Sequence, residues 1–251
     1  MNRHTGVRGG AVAVALLLGV SGCGGSGSSG DGKPAGKPAG ASPSAQASAT
    51  APSAPPSAGD AKPASGDVLP GMVSAAVART QLAGLATGKP GTMAGYSRDK
   101  FTHWAEQGNK CDTRETVLKR DGADVTQDSE CRALSGTWKS LYDGVVLNEA
   151  GKLDIDHMVP LAEAWRSGAA GWDAAKRKAF ANDLTRPQLL AVSAASNRSK
   201  GDQSPDLWQP TDRSSWCQYG RAWTTVKSHY GLTVTDAERA MLTTMIDTCA
   251  S

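Results

Sequence analysis

From Gly24 to about Gly66 the chain is almost entirely Gly, Ser, Ala and Pro, and Lys-Pro-Ala-Gly occurs twice in tandem at 33–40. Such a stretch cannot bury enough apolar surface to offset its ordering entropy, so it is expected to stay unfolded. Any fold must therefore come from residues 68–251, enough for one ordinary domain. At 39% hydrophobic and 20% charged residues, with 7 Trp, the chain can build a real core, which excludes wholesale disorder. No run reaches the ~18–20 consecutive apolar residues of a membrane span. The formal charge of +3 does not by itself announce a nucleic-acid binder. Beyond residue 67 basic and acidic residues nearly balance, so an anion-binding face would have to be local.

The chain opens with Arg3, His4 and Arg8, an apolar run from Ala11 to Val20, and then Val20-Ser21-Gly22-Cys23. A basic start, a short apolar region and small residues before a cut describe a secretory signal over residues 1–22. The Val-Ser-Gly-Cys ending resembles a bacterial lipobox, which implies lipidation at Cys23. Residues 23–67 then read as a tether with an r.m.s. reach of about 35–40 Å. The expected location is the outer face of a bacterial cell membrane, lipid-anchored, or secreted where the lipobox is not used. The membrane would be met through that lipid only.

Cysteine usage agrees with export. Besides Cys23 the chain has Cys111, Cys131, Cys217 and Cys249, none in a Cys-x-x-Cys pair, so zinc and redox motifs are disfavoured. Two disulfides are expected. Local pairing favours Cys111–Cys131 and Cys217–Cys249, with the other two connectivities left open by the sequence.

Hydrophobic periodicity predicts a helix from Met72 to Leu85, with Val73, Val77, Leu82 and Leu85 near one face, and a short helical stretch from Asp99 to Gln107. Leu153 to Val159 alternates as a strand. Helices are expected at 161–167 and 172–182, a second strand at 188–192 and a polar helix at 193–200. Trp216, Tyr219, Trp223, Val226 and Tyr230 recur at helical spacing and read as core. Thr235 and Glu238 form a capping box for a last helix, and a Cys217–Cys249 bridge would staple the two helices. His103 and His229 read as structural.

Chemistry concentrates in Asp154-Ile155-Asp156-His157-Met158-Val159-Pro160, where two carboxylates and an imidazole lie within four residues. Forty residues on, Ser196-Asn197-Arg198-Ser199-Lys200 starts a helix after the second strand. This order and these motifs resemble the HNH nuclease family, closest to an exported branch related to the nuclease domain of the GmrSD restriction enzyme. Cys111-Asp112-Thr113-Arg114 and Trp138-Lys139-Ser140-Leu141-Tyr142-Asp143-Gly144 match that branch upstream. The resemblance spans roughly Tyr96 to Cys249. It departs from the family in carrying Asp rather than His at the first signature position, and in a long segment between the two strands.

The resemblance implies an α+β fold, a mostly helical, disulfide-stapled domain around a ββα-metal finger. It implies an endonuclease hydrolysing phosphodiester bonds by a single-metal mechanism with His157 as general base. Asp156 and Asn197 would hold one divalent cation, Mg2+ first and Mn2+ as the other choice, and Asn182 would be the family's middle Asn that orients the histidine. Arg198 and Lys200 are suited to substrate phosphate. The implied partner is nucleic acid, DNA over RNA, and the implied state a monomer. Two rivals remain at this stage. One is a glycan hydrolase using the Asp-x-Asp carboxylates, which lacks a well-placed acid and leaves Asn197 and Lys200 without a role. The other is a non-catalytic wall- or partner-binding module with a vestigial site.

Overall fold

Ser74 accepts from the backbone N–H of Val77 and so starts α1 (Ala75–Gly84), the first element of a computed structural model that describes residues 69–250. The secretory signal, the lipidation expected at Cys23 and the tether lie outside those residues. Helix α1 turns Ala78 and Leu82 into the core, with Val73 and Leu85 packed against it as expected, and only Val77 of the predicted face is exposed, at 46%.

The stretch predicted as a helix over 99–107 is only a 3-10 turn, Arg98–Lys100, followed by strand β1 (Glu106–Gly108). Trp104 sits at φ +57°, in the left-handed region, and a helix cannot run through that residue. Strand β1 pairs with β2 (Cys111–Asp112), and Asp112 caps α2 (Thr113–Asp121) through Glu115 N–H. A three-stranded antiparallel sheet follows, β3 (Ala123–Gln127), β4 (Ala133–Lys139) and β5 (Val146–Leu147) in that order. The Cys111–Cys131 disulfide ties β2 to the β3–β4 turn.

Strand β6 (Leu153–His157) pairs antiparallel with β7 (Leu189–Ser193), from Leu153 opposite Ser193 to His157 opposite Leu189. Between them run α3 (Leu161–Arg166) and α4 (Ala174–Ala181), which fill the long insertion as helices. Ser193 caps α5 (Ala194–Lys200), which packs on both strands. Leu153 and Ile155 point from one face of β6 into a cluster with Val117, Leu118 and Trp138. The side chains of Asp154 and Asp156 both bond residues of α5, as the two-residue repeat requires.

Helices α6 (Trp216–Tyr230) and α7 (Asp236–Asp247) form the other wall of the larger core, and all five aromatic-stripe residues are buried. Gly231 at φ +67° ends α6, and the Thr235–Glu238 capping box starts α7. At Gly220 an added Cβ would stand 2.8 Å from Met245 Cβ, so only glycine allows the two helices to lie this close. Cys217 is bonded to Cys249, and with Cys111–Cys131 both locally favoured pairings are present. Cross-linking residues 32 apart removes loop entropy from the unfolded chain. Replacing both Cys217 and Cys249 by Ala should lower unfolding stability by about 3 kcal/mol, measured by urea denaturation. A loss below about 1 kcal/mol would mean that the α6–α7 contact alone holds this end.

Candidate active site

His157 ends β6 and is 3% exposed. Its Nε2 lies 3.0 Å from the backbone carbonyl oxygen of Ala181, in the last turn of α4. A carbonyl can only accept, so Nε2 carries the hydrogen and Nδ1 keeps its lone pair. Burial drives the imidazole pKa down from 6.5 to about 3, with the Ala181 carbonyl opposing and nearby cations, Arg98 first, adding to the fall. The ring is therefore neutral at ordinary pH. Trp104 stacks on it at 5.9 Å between centroids, and His103 lies edge-on at 6.4 Å. His103 holds the Phe101 carbonyl through Nδ1 at 2.8 Å.

The depressed pKa makes folding sensitive to acid. A group whose folded pKa lies below its unfolded value contributes stability that is fully present above the unfolded pKa and is lost as pH falls toward the folded one. For His157 the window runs from 6.5 down to about 3. Its share should be a loss of about 2 kcal/mol between pH 6.5 and 5, measured in EDTA as the difference from His157→Asn. Parallel pH curves for the two proteins would show that the imidazole is not held neutral.

Asn182 stands one residue past the carbonyl that holds His157. Its Oδ1 accepts from Ala105 N–H at 2.9 Å and Thr113 Oγ1 at 2.8 Å, while Nδ2 donates to the Thr102 and Lys178 carbonyls at 2.7 and 2.8 Å. All four bonds of the amide are made. This side chain fastens the 102–105 segment and the start of α2 to the end of α4, and so fixes where the Ala181 carbonyl points.

Asp156 faces the other way and is 6% exposed. Its Oδ2 accepts from Tyr142 Oη at 2.5 Å and from Lys200 Nζ at 2.7 Å. Burial pushes the Asp156 carboxyl up and the Lys200 ammonium down, and each charge pulls the other back toward its ionised form. Lys200 also donates to the His157 carbonyl at 2.9 Å and is completely buried. The residue expected to meet substrate phosphate thus points inward, clamping the Asp-His pair from behind. Arg198, two residues earlier on α5, is exposed. Asn197 donates from Nδ2 to Asp154 Oδ2 at 3.0 Å, which leaves its amide oxygen without a protein partner among the described residues.

Asp156, His157 and Asn197 line one cavity of about 200 Å3, together with Tyr96, Arg98, Pro160, Leu161 and Asp202. No three His, Cys, Asp or Glu side chains cluster as a closed metal cage among the described residues. An oxygen-lined site of one carboxylate and one amide is nevertheless what a hydrated, hard divalent cation needs when substrate phosphate supplies further ligands. With Oδ2 occupied by Tyr142 and Lys200, such a cation would use Asp156 Oδ1 with the Asn197 amide oxygen. The donor set fits on those terms.

Tyr142, the Ala181 carbonyl and Arg98 carry no role in the sequence reading. Tyr142 lies in a quoted motif, yet only the fold shows that its hydroxyl reaches Asp156. Ala181 acts through its backbone, which leaves no side-chain signal.

A family model described as "GmrSD restriction endonucleases, C-terminal domain" matches residues 112–245. The chain belongs to this family. The match to the GmrSD C-terminal domain takes in Asp156, His157, Asn182, Asn197 and Lys200, and leaves Arg98 upstream of it. A protein of Arthroderma benhamiae described as an "Uncharacterized secreted protein" is 50% identical over 189 residues, covering 75% of this chain and 93% of that relative. No solved structure matches the chain.

Proposed function

We propose that this protein is an exported endonuclease that hydrolyses phosphodiester bonds in DNA with one divalent cation, Mg2+ or Mn2+, and His157 as general base. The observation that carries the reading is a neutral His157 whose Nε2 hydrogen is fixed on the Ala181 carbonyl, beside Asp156 and Asn197 in one cavity. Membership of a restriction-endonuclease domain family supports the substrate class. The Asp-His strand, paired strand and Asn-bearing helix have the order of an HNH ββα finger.

In this reading the Nδ1 lone pair of His157 takes a proton from water as the water oxygen attacks phosphorus in line with the 3′ oxygen. The phosphorus–O3′ bond breaks and the departing 3′ oxygen takes a proton from solvent water, leaving a 5′ phosphate and a 3′ hydroxyl. When bound at Asp156 and Asn197, the cation would stabilise charge building on the phosphate and on the leaving oxygen. Anionic phosphate beside the imidazole raises its proton affinity when the proton must move, offsetting the effect of burial. Asn182 holds the Ala181 carbonyl in place, and Lys200 with Tyr142 holds the Asp156 carboxylate. Arg198, exposed on α5, is suited to a flanking phosphate.

Export and lipid anchoring at Cys23 belong to the same proposal, supported by the N-terminal motif, by two disulfides and by a relative described as secreted. A monomer attached to the membrane through its lipid alone is the proposed state. The test is plasmid nicking by the oxidised protein in Mg2+ or Mn2+, with EDTA as control. Cation-dependent nicking with 5′-phosphate ends supports the reading. Failure to cut double- or single-stranded DNA or RNA with both disulfides intact would overturn it.

A further inference from the structure

We infer that Arg98, which lies outside the residues matched to the family, supplies the positive charge that grips the substrate phosphate at this site. The inference rests on the nuclease reading and deepens it by naming the contact that places the phosphate. Two cations were expected there from the sequence. Lys200 cannot serve, because it is fully buried with its ammonium on Asp156 and the His157 carbonyl. Arg198 is exposed but is not among the residues lining the cavity. Apart from the neutral His157, the only basic side chain lining the cavity is Arg98.

Three further observations agree. Arg98 is exposed and forms no ion pair or side-chain hydrogen bond among the described residues, so its five N–H donors are available. Tyr96, two residues before it, lines the same cavity, so the segment from 96 to 98 forms one of its walls. Of the two carboxylates lining the cavity, Asp156 is held by Lys200 and Asp202 by Arg166, each at 2.7 Å, and neither is paired with Arg98.

The backbone beneath Arg98 is fastened. Ser97 Oγ accepts from Asp99 N–H at 3.2 Å, Arg177 of α4 donates to the Lys100 carbonyl at 3.2 Å, and Phe101 is fully buried next to the turn. The same α4 ends on the carbonyl that holds His157. The cation and the base are thus set by one helix, on a site that is anionic at Asp156 and must receive an anion. A planar guanidinium suits two oxygens of one phosphate, which gives placement as well as charge.

The test compares Arg98→Ala and Arg98→Lys with Arg132→Ala, which removes one exposed positive charge far along the chain. Cleavage by wild type is measured first, and binding of a fluorescent DNA oligonucleotide is measured in EDTA in a His157→Ala background, where no cutting occurs. Arg98→Ala should lower kcat/KM about 10²-fold and Arg98→Lys less. In the binding assay Arg98→Ala should reduce the slope of log K against log salt by about 1, and Arg132→Ala should leave both readouts near wild type. A cutting, DNA-binding wild type whose Arg98→Ala variant matches Arg132→Ala would overturn this inference and leave the nuclease reading standing. A wild type that neither cuts nor binds would overturn both.

Discussion

His157→Ala should lower DNA cleavage by about 10³-fold or more while leaving both disulfides formed and oligonucleotide binding intact. The imidazole is the one neutral base in the cavity, and its orientation is fixed by a single hydrogen bond to the Ala181 carbonyl. Removing it takes away the proton acceptor without removing Arg98 or the Asp156–Asn197 donor pair. Added imidazole should restore part of the rate, because the vacated space lies beside Trp104 and opens to the cavity. His103 offers an internal check. Its ring lies 6.4 Å from that of His157, but its Nδ1 is engaged by the Phe101 carbonyl. His103→Ala should therefore keep most of the activity. Equal losses in the two variants would move the base to His103, and wild-type cleavage by His157→Ala would remove the base assignment altogether. A smaller fall is expected for Asn182→Ala, which frees the carbonyl rather than the base.

Much of this arrangement is legible in the sequence because it depends on local order. The alternation through Leu153-Asp154-Ile155-Asp156-His157 gives the strand and puts both aspartates on one face. Ser193 ahead of Ala194 gives a helix start, and both disulfides follow from pairing cysteines within one segment. The aromatic spacing from Trp216 to Tyr230 reads directly as a buried face. What escaped depends on tertiary placement or on backbone. A lysine on a short polar helix reads as solvent-facing, and only the approach of Asp156 and Tyr142 turns Lys200 inward. Trp104 at φ +57° breaks a stretch whose side chains look helical, since amphipathic spacing carries no record of a left-handed residue. Arg98 is separated from His157 by the β1–β2 pair, α2, the three-stranded sheet and the rest of β6, so no window of sequence brings them together. The Ala181 carbonyl belongs to a residue whose side chain says nothing.

Lys200→Met should cost about 3–5 kcal/mol of unfolding stability, a fall in Tm on the order of 10 °C. The ammonium is completely buried and donates to Asp156 Oδ2 and to the His157 carbonyl at 2.7 and 2.9 Å. Methionine fills a similar volume but leaves a buried carboxylate with no counter-charge and a carbonyl with no donor. The carboxylate would then rise further in pKa, so the loss should be smallest in acid, where the carboxyl can take up a proton, and should grow as pH rises past the ordinary carboxylate range, levelling off above its raised pKa. A second change separates charge from packing. In Lys200→Met/Asp156→Asn the uncompensated charge is gone, and part of the stability should return. Lys152→Ala is the contrast, since its partner Glu149 is exposed and the pair is worth under about 1 kcal/mol. If Lys200→Met cost no more than Lys152→Ala, the ammonium would be reaching solvent, and the original expectation that it meets substrate phosphate would regain its place. A large loss with partial rescue would instead fix Lys200 as the internal support of Asp156, and leave phosphate contact in the cavity to Arg98.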